Sequence, residues 1–374
     1  MTDIRHDEIS WLGRWWWTID RWVLSALIAL LALGIVLTMA AGPPAANRMG
    51  LDSFHFVRAQ LTYLPLALLI ILGVSLLSPR TVRRLALIAF VLFFVLTALT
   101  PVLGTEIKGA RRWLMLFGQS LQPSEFLKPA FAILVAWLFS EYRLGRLSGG
   151  PWIATALCFA VIVLLVRQPD IGNSVLVATV WFVEFFLAGL SAVAMAALAA
   201  VAGTAATAAY LLVPHVAARV DAFLDPASSA NYQVNVALEA FANGGLFGRG
   251  PGEGIVKASL PDAQSDFILA VAGEELGLIA TIVIVALFAF IVLRGFSRLL
   301  EENDLFVLLG VAGLLTAFGV QALINMGSTL HIVPTKGITL PFISYGGSSA
   351  LALALGMGMV LALTRQRARG GLSP

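Results

Sequence analysis

The sequence predicts an all-α polytopic membrane protein of about ten transmembrane helices with one large extracytoplasmic loop, and three observations carry that reading. Hydrophobic residues make up 59% of the 374 residues and charged ones only 12%, more apolar side chain than a water-soluble core can enclose. Apolar stretches long enough to cross about 30 Å of hydrocarbon recur along the whole chain. One segment alone, residues 214–266, is long, hydrophilic and rich in Gly, Asn, Asp and Ser.

The elements follow in order. Residues 1–21 read as a cytoplasmic or interfacial segment, because Trp11, Trp15, Trp16, Trp17 and Trp22 suit the headgroup level, where indole is apolar in body and polar at one edge. No short apolar core with a small-residue cleavage site precedes the first span, so that span is expected to stay. The spans are expected near 22–41, 61–77, 85–103, 125–140, 152–166, 172–189, 191–213, 267–293, 305–325 and 342–364, forming a single membrane domain over 1–374 with a tail at 365–374. The fourth and fifth are short for a straight crossing, which implies tilt, thinning, or ends wrapped in protein. An even number of spans puts both termini on one side. Arg80, Arg83, Arg84, Arg143, Arg146, Arg294, Arg298 and Arg365 fall on that side, which makes it cytoplasmic and the 214–266 loop periplasmic. Lys108, Arg111, Arg112, Lys128, Arg167 and Lys336 persist on the other side, where the orientation rule would remove them, so they call for a function. Within the loop, Val216 to Leu224 has apolar residues at mixed helical spacing, and Tyr232 to Phe241 suits a short amphipathic helix on the membrane surface. No matching halves with interrupted spans are evident, which argues against an inverted-repeat transporter. Cys158 is the one cysteine, so no intrachain disulfide forms. The net charge of +3 is scattered through short loops, which argues against nucleic acid as partner and suits membrane lipids and phosphorylated lipid.

Four constellations could carry chemistry. Gly244 to Gly254 is glycine-rich and precedes Lys257, a backbone able to approach a ligand closely, although no Gly-Lys-Ser/Thr end makes it a nucleotide loop. Asp266 stands where the loop gives way to the apolar run from Phe267, so it is either the cap of that span or a proton acceptor at the outer surface. Arg111 and Arg112, then Glu125 and Lys128, surround the start of the fourth span. The last two share a helix face and can pair, but ionisable groups within a span usually mark a substrate path, and the arginines suit phosphate oxygens. Asp170 lies in a turn between two spans and shapes it or joins the cavity. Glu184, Glu274 and Glu275 have no role assigned by the sequence. Finally, Asn325, His331, Lys336 and Ser344 lie in or beside an irregular segment with Pro334, Pro341 and the Gly346-Gly347 pair. Such backbone at membrane depth belongs where it is buried in protein or borders a water-filled cavity. His331 has no second ligand at metal spacing and reads as packing.

Gln-Pro-Ser-Glu-Phe-Leu-Lys at 122–128, Leu-Pro-Asp-Ala-Gln-Ser-Asp-Phe at 260–267 and Pro-Thr-Lys-Gly-Ile-Thr-Leu-Pro-Phe-Ile-Ser-Tyr-Gly-Gly-Ser-Ser at 334–349 resemble the SEDS family over nearly the whole chain. Thr-Lys-Gly-Ile-Thr-Leu-Pro and the Glu-Gly-Ile-Val-Lys stretch resemble its division branch more than its elongation branch. The resemblance implies a peptidoglycan glycosyltransferase that polymerises lipid II during septal cell-wall synthesis, inverting at the anomeric carbon and releasing undecaprenyl diphosphate. It implies Asp266 as the essential catalytic carboxylate, although Asp262, Gln264 and Ser265 depart from the family's usual Glu, His and Thr. Arg111, Arg112, Glu125, Lys128, Asp170, Lys257, Lys336 and Ser344 are the candidates for binding substrate or pyrophosphate. No tightly bound cofactor is expected; a divalent cation, Mg or Mn, is allowed, with Asp266 and Glu125 as candidate ligands. The implied partners are lipid II and undecaprenyl-linked glycan, the class B penicillin-binding transpeptidase FtsI and the division proteins FtsQ, FtsL, FtsB and FtsN. The implied location is the inner membrane at the division septum, with the active face periplasmic. A lipid II flippase, an elongation polymerase and a division scaffold are the alternatives.

Overall fold

The structure is a computed structural model that describes residues 11–107, 110–116, 118–189, 192–212, 214–225, 231–334 and 337–365. Lys108, Lys336 and the tail beyond Arg365 lie outside the described residues. A short helix, α1 (Trp11–Thr18), leads into α2 (Arg21–Arg48), α3 (His55–Ser75) and α4 (Pro79–Leu103). Then come strands β1 (Thr105–Ile107), β2 (Ala110–Leu116) and β3 (Gln119–Leu121), and helices α5 (Pro123–Arg143), α6 (Gly150–Arg167), α7 (Ile171–Leu187) and α8 (Ala192–Leu212). The hydrophilic segment folds as α9 (Pro214–Leu224), α10 (Tyr232–Gly244) and a short 3-10 turn, Val256–Ala258. Helices α11 (Ile268–Leu299), α12 (Leu305–Thr329) and α13 (Gly347–Leu363) complete the chain.

Among the described residues, α2, α3, α4, α6, α11 and α12 are long and apolar enough to cross a membrane. Helices α5, α7, α8 and α13 occupy the other four expected positions, α7 and α13 with only 17 residues each. α5 and α12 form the centre: α5 is buried on nearly every face from Pro123 to Ser140, and α12 packs on α5, α7, α11 and α13. The leucines and valines of α3, α4 and α11 that point outward are the lipid-facing side expected when the solvent is hydrocarbon. α1 carries exposed Trp16 and Trp17, over which Arg21 lies, while Trp15 Nε1 donates to Ser75 Oγ at 2.9 Å. Asp20 caps α2 by accepting from the N–H groups of Trp22 and Val23, and Arg294 and Arg298 of α11 clasp the same carboxylate at 2.9 and 3.0 Å.

The three-stranded antiparallel sheet, in the order β1-β2-β3, is an element the hydropathy reading missed. It pairs Glu106 with Arg111 and Leu114 with Leu121.

α11 is broken at Gly277, whose φ of 83° and ψ of 177° no helix contains. A break inside a span frees backbone groups that hydrocarbon cannot satisfy. The glycine-rich stretch takes them up: Arg249 and Gly250 N–H donate to the carbonyls of Glu274 and Glu275 at 2.9 and 3.0 Å, and Leu278 and Ile279 N–H donate to Gly245 and Leu246 at 2.9 and 3.3 Å. A Cβ at Gly244 or Gly248 would collide with the α11 backbone. These glycines therefore permit close approach to a broken helix, not to a ligand, and that corrects the sequence reading of the stretch.

Glu274 explains the rest of the splice. Its carboxylate, fully buried, accepts from Asn243 Nδ2 and from three consecutive backbone N–H groups, Ile255, Val256 and Lys257, each at 2.8 Å. Beside it Lys257 and Glu275 form a buried ion pair. Glu184, fully buried on α7, faces Gly313 of α12, where a Cβ would strike its carboxylate. It contacts a neighbouring helix and does not line the cavity described next.

Candidate active site

Asp266 ends a tight turn that several elements pin. The Asp262 carbonyl accepts from the N–H groups of Ser265, Asp266 and Phe267 at 3.0, 3.1 and 3.4 Å. Arg48 holds the Leu260 carbonyl at 2.7 Å, Tyr345 N–H donates to Gln264 at 2.8 Å, and Ser344 Oγ donates to the Ser265 carbonyl. Asn325 Nδ2 donates to the carbonyls of Asp266 and Ile338 at 2.9 and 2.8 Å. The N-cap of α11 is Phe267, with no side-chain cap, so capping does not account for the acid.

The half-buried Asp266 lies on the wall of a cavity of about 500 Å³ at one end of the bundle. Arg112 and Glu125 share that wall with Asn173, Gln233, Gln321 and Asn325. Four helices begin there: Glu125 is in the first turn of α5, Ile171 to Asn173 in that of α7, Asp266 and Phe267 precede α11, and Gly347 to Ser349 open α13. Helix N-termini present unpaired N–H groups and partial positive charge, so their convergence favours an anion. Tyr63 and Tyr345 stand on the same wall, and burial, then the neighbouring Tyr63, push the Tyr345 phenol above its ordinary pKa.

The structure sorts the two arginines. Adjacent strand residues point to opposite faces. Arg111 turns outward to Glu106 at 3.4 Å and is off the cavity wall. Arg112 turns inward, where Nε donates to the Gln168 carbonyl at 2.7 Å and Nη2 to that of Pro169 at 2.6 Å, with Nη1 3.7 Å from Asp170. Asp170 is buried and caps α7 through the Asn173 N–H at 3.3 Å, so it positions Arg112 rather than meeting a ligand.

Lys128 lies one layer below the wall. Its Nζ donates to Glu125 at 2.9 Å, Asn173 Oδ1 at 2.9 Å and Gln321 Oε1 at 3.2 Å, which uses all three protons. Lys257 is spent on Glu275, away from the cavity, and Ser344 lies behind the Asp266 turn. Lys336 falls outside the described residues. Among the described residues no group of three His, Cys, Asp or Glu side chains converges to hold a metal. Asp266 with Glu125 does not fit as a cation site, because both Glu125 oxygens already accept from Lys128. The positioning roles of Asp170, Gln321 and Asn325 follow from burial and pairing that sequence spacing does not display.

A profile of the FtsW/RodA/SpoVE family, described as cell cycle protein, matches residues 21–369. The chain is 45% identical over 342 residues to "Probable peptidoglycan glycosyltransferase FtsW" of Caulobacter vibrioides, covering 91% of this chain and 88% of that protein. It is 33% identical over 349 residues to the protein of the same name in Coxiella burnetii, covering 90% and 93%. It is similar in fold to a chain of a solved peptidoglycan synthase complex that coordinates polymerization and crosslinking, with a TM-score of 0.79, 29% identity and coverage of 92% and 97%. It is also similar to the rod shape determining protein RodA of Thermus thermophilus, with a TM-score of 0.67, 27% identity and coverage of 93% and 97%.

Proposed function

The chain belongs to the FtsW/RodA/SpoVE family of cell cycle proteins, and from that premise we propose that it is a membrane-embedded peptidoglycan glycosyltransferase that polymerises lipid II during septal wall synthesis. The observation that carries this reading is Asp266, the carboxylate of the cavity wall not taken up by Lys128, facing a space where four helices begin and which Arg112 lines.

In the proposed step the acceptor sugar's 4-hydroxyl oxygen attacks the anomeric carbon of the lipid-linked glycan. The new C–O bond forms as the bond to the pyrophosphate oxygen breaks, with inversion. Asp266 takes the hydroxyl proton as general base. The electron pair leaves with undecaprenyl diphosphate, whose charge meets Arg112 and the helix N-termini. A pyrophosphate departs without being protonated, so one acid suffices, in contrast to glycoside hydrolysis, where two carboxylates share the work. Glu125 and Lys128 form a neutral pair that fixes α5 against α7 and α12. No step is assigned to a metal.

The catalytic face is periplasmic with both termini cytoplasmic, on the inner membrane at the septum, and the crosslinking partner is the class B transpeptidase FtsI with FtsQ, FtsL, FtsB and FtsN. The resemblance to a chain from a synthase complex supports such a partner. The test uses purified protein with its transpeptidase and lipid II. The parent is expected to make glycan polymer and Asp266→Ala none above background, with equal thermal stability. Equal polymer from both rules out Asp266 as the base, and lipid transport without polymer from the active parent complex favours a flippase.

A further inference from the structure

One residue of the cavity wall, Asn325, carries a polar atom for which the described residues supply no partner. Asn325 is 1% exposed, and among the described residues its Oδ1 is the only buried side-chain polar atom on that wall without a hydrogen-bond partner. The amide orientation is fixed by its neighbours. Both partners of the other amide atom are carbonyls, of Asp266 and Ile338, so that atom must be the NH₂ and the unpaired one the oxygen. Neighbouring polar side chains on the wall are paired: Gln321 Nε2 donates to the Thr339 carbonyl at 3.1 Å, Thr339 Oγ1 and Ser349 Oγ pair at 2.8 Å, and Ser328 Oγ donates to the Ile324 carbonyl at 2.7 Å.

A buried acceptor left unpaired is unfavourable, and proteins keep few of them. At a substrate cavity the natural resolution is that the partner arrives with the substrate. We propose that Asn325 Oδ1 is a specificity-determining acceptor that receives a hydrogen bond from a hydroxyl of the acceptor sugar neighbouring the one Asp266 deprotonates. This rests on the glycosyltransferase reading above. The placement suits it: Asn325 donates to the main-chain carbonyl of Asp266 itself, so its oxygen sits beside the residue that engages the attacking hydroxyl. An acceptor with no acidic proton also reads only a donor, which selects a neutral sugar hydroxyl against a phosphate or carboxylate. A hydroxyl held there, on ring carbon 3 or on the C6 arm carried by C5, would help orient the attacking oxygen, because both belong to the same sugar residue.

The test is a cycle between enzyme atom and substrate atom. Lipid II analogues lacking the 3-hydroxyl or the 6-hydroxyl of the acceptor sugar are compared with intact lipid II in the parent complex, in Asn325→Ala and in Asn325→Ser. The parent is expected to lose at least about tenfold in kcat/KM on one of the two analogues, since the unpaired oxygen then stays unpaired. In both variants that ratio should shrink to within about threefold, whatever their absolute rate. A parent that uses both analogues as well as lipid II overturns the inference. So do variants that discriminate as the parent does. Loss of the Asp266 dependence in the same assay would instead overturn the general-base reading, so the two failures are separate.

Discussion

Replacing Glu274 with Ala should open the splice that holds the glycine-rich stretch to α11. The carboxylate receives four hydrogen bonds, of which the one from Lys257 N–H is buried and the other three partly so. Stranding one buried donor costs about 1–3 kcal/mol, and three part-wet donors about 0.5–1.5 kcal/mol each, so the cage is worth about 2.5–7.5 kcal/mol to the local structure. Water entering the vacated space recovers part of this, leaving roughly 2 kcal/mol, which raises the population of the opened loop by about thirtyfold. Lys257 offers the assay, because it is 4% exposed and paired with Glu275 in the closed form and is a trypsin site in the opened one. Cleavage after Lys257 in the Glu274→Ala protein should be about thirtyfold faster than in the parent under limiting trypsin, where the rate tracks the open population. Cleavage at the parental rate would refute the idea that this carboxylate holds the loop.

Lys128→Met should leave Glu125 as an uncompensated buried carboxylate and cost about 3–5 kcal/mol, whereas Lys128→Met with Glu125→Gln should recover most of it, as read by thermal unfolding in detergent. Failure of the second change to recover stability would mean the pair is not the main term. At the opposite face, burial of Asp20 works to raise its pKa, but the hydrogen bonds from Arg294, Val23 and Arg298 outweigh it and hold the carboxyl below its ordinary value. A depressed folded-state pKa contributes stability that is present above the unfolded carboxylate's pKa and is lost as pH falls through the folded one. The parent should therefore lose thermal stability on acidification below the ordinary aspartate range more steeply than Asp20→Asn, which keeps the cap but not the charge; identical acid profiles would remove Asp20 from the account.

The positions of the apolar helices and the place of Asp266 were legible because apolar stretches and a lone acid at a loop boundary are local signals. The glycine-rich stretch was legible as backbone able to approach something closely, but not as the filler of a break at Gly277, because the partner lies in another element and pairs through main chain. Arg111 and Arg112 looked equivalent, since nothing in the hydropathy announces that residues 110–116 form a strand and so divide the two between opposite faces. Lys128 and Lys257 looked like phosphate ligands because a sequence displays charge but not the carboxylates that consume it. Asn325 was legible as a polar residue beside the irregular segment, but its unpaired oxygen was not, because the partners of its amide lie in other elements.

The electrostatics of the cavity bear on turnover as well as on chemistry. Among the described residues the ionisable groups on its wall are one cation, Arg112, two carboxylates, Glu125 and Asp266, and two tyrosines. A cluster of arginines would bind a diphosphate tightly in substrate and product alike, and uniform binding of that kind does not speed the step. Helix N-termini act differently: each is worth about 0.3–1 kcal/mol to a nearby anion and is fixed by the fold before charge develops. In the proposed reaction these termini, that of α7 already met by Asp170, and a single arginine would favour the departing diphosphate without holding it permanently. The polymerisation proposed above, which releases one lipid carrier per added unit, needs that weakness. The neutral Glu125–Lys128 pair serves the same end, since it places a lysine at membrane depth without adding its charge to the wall.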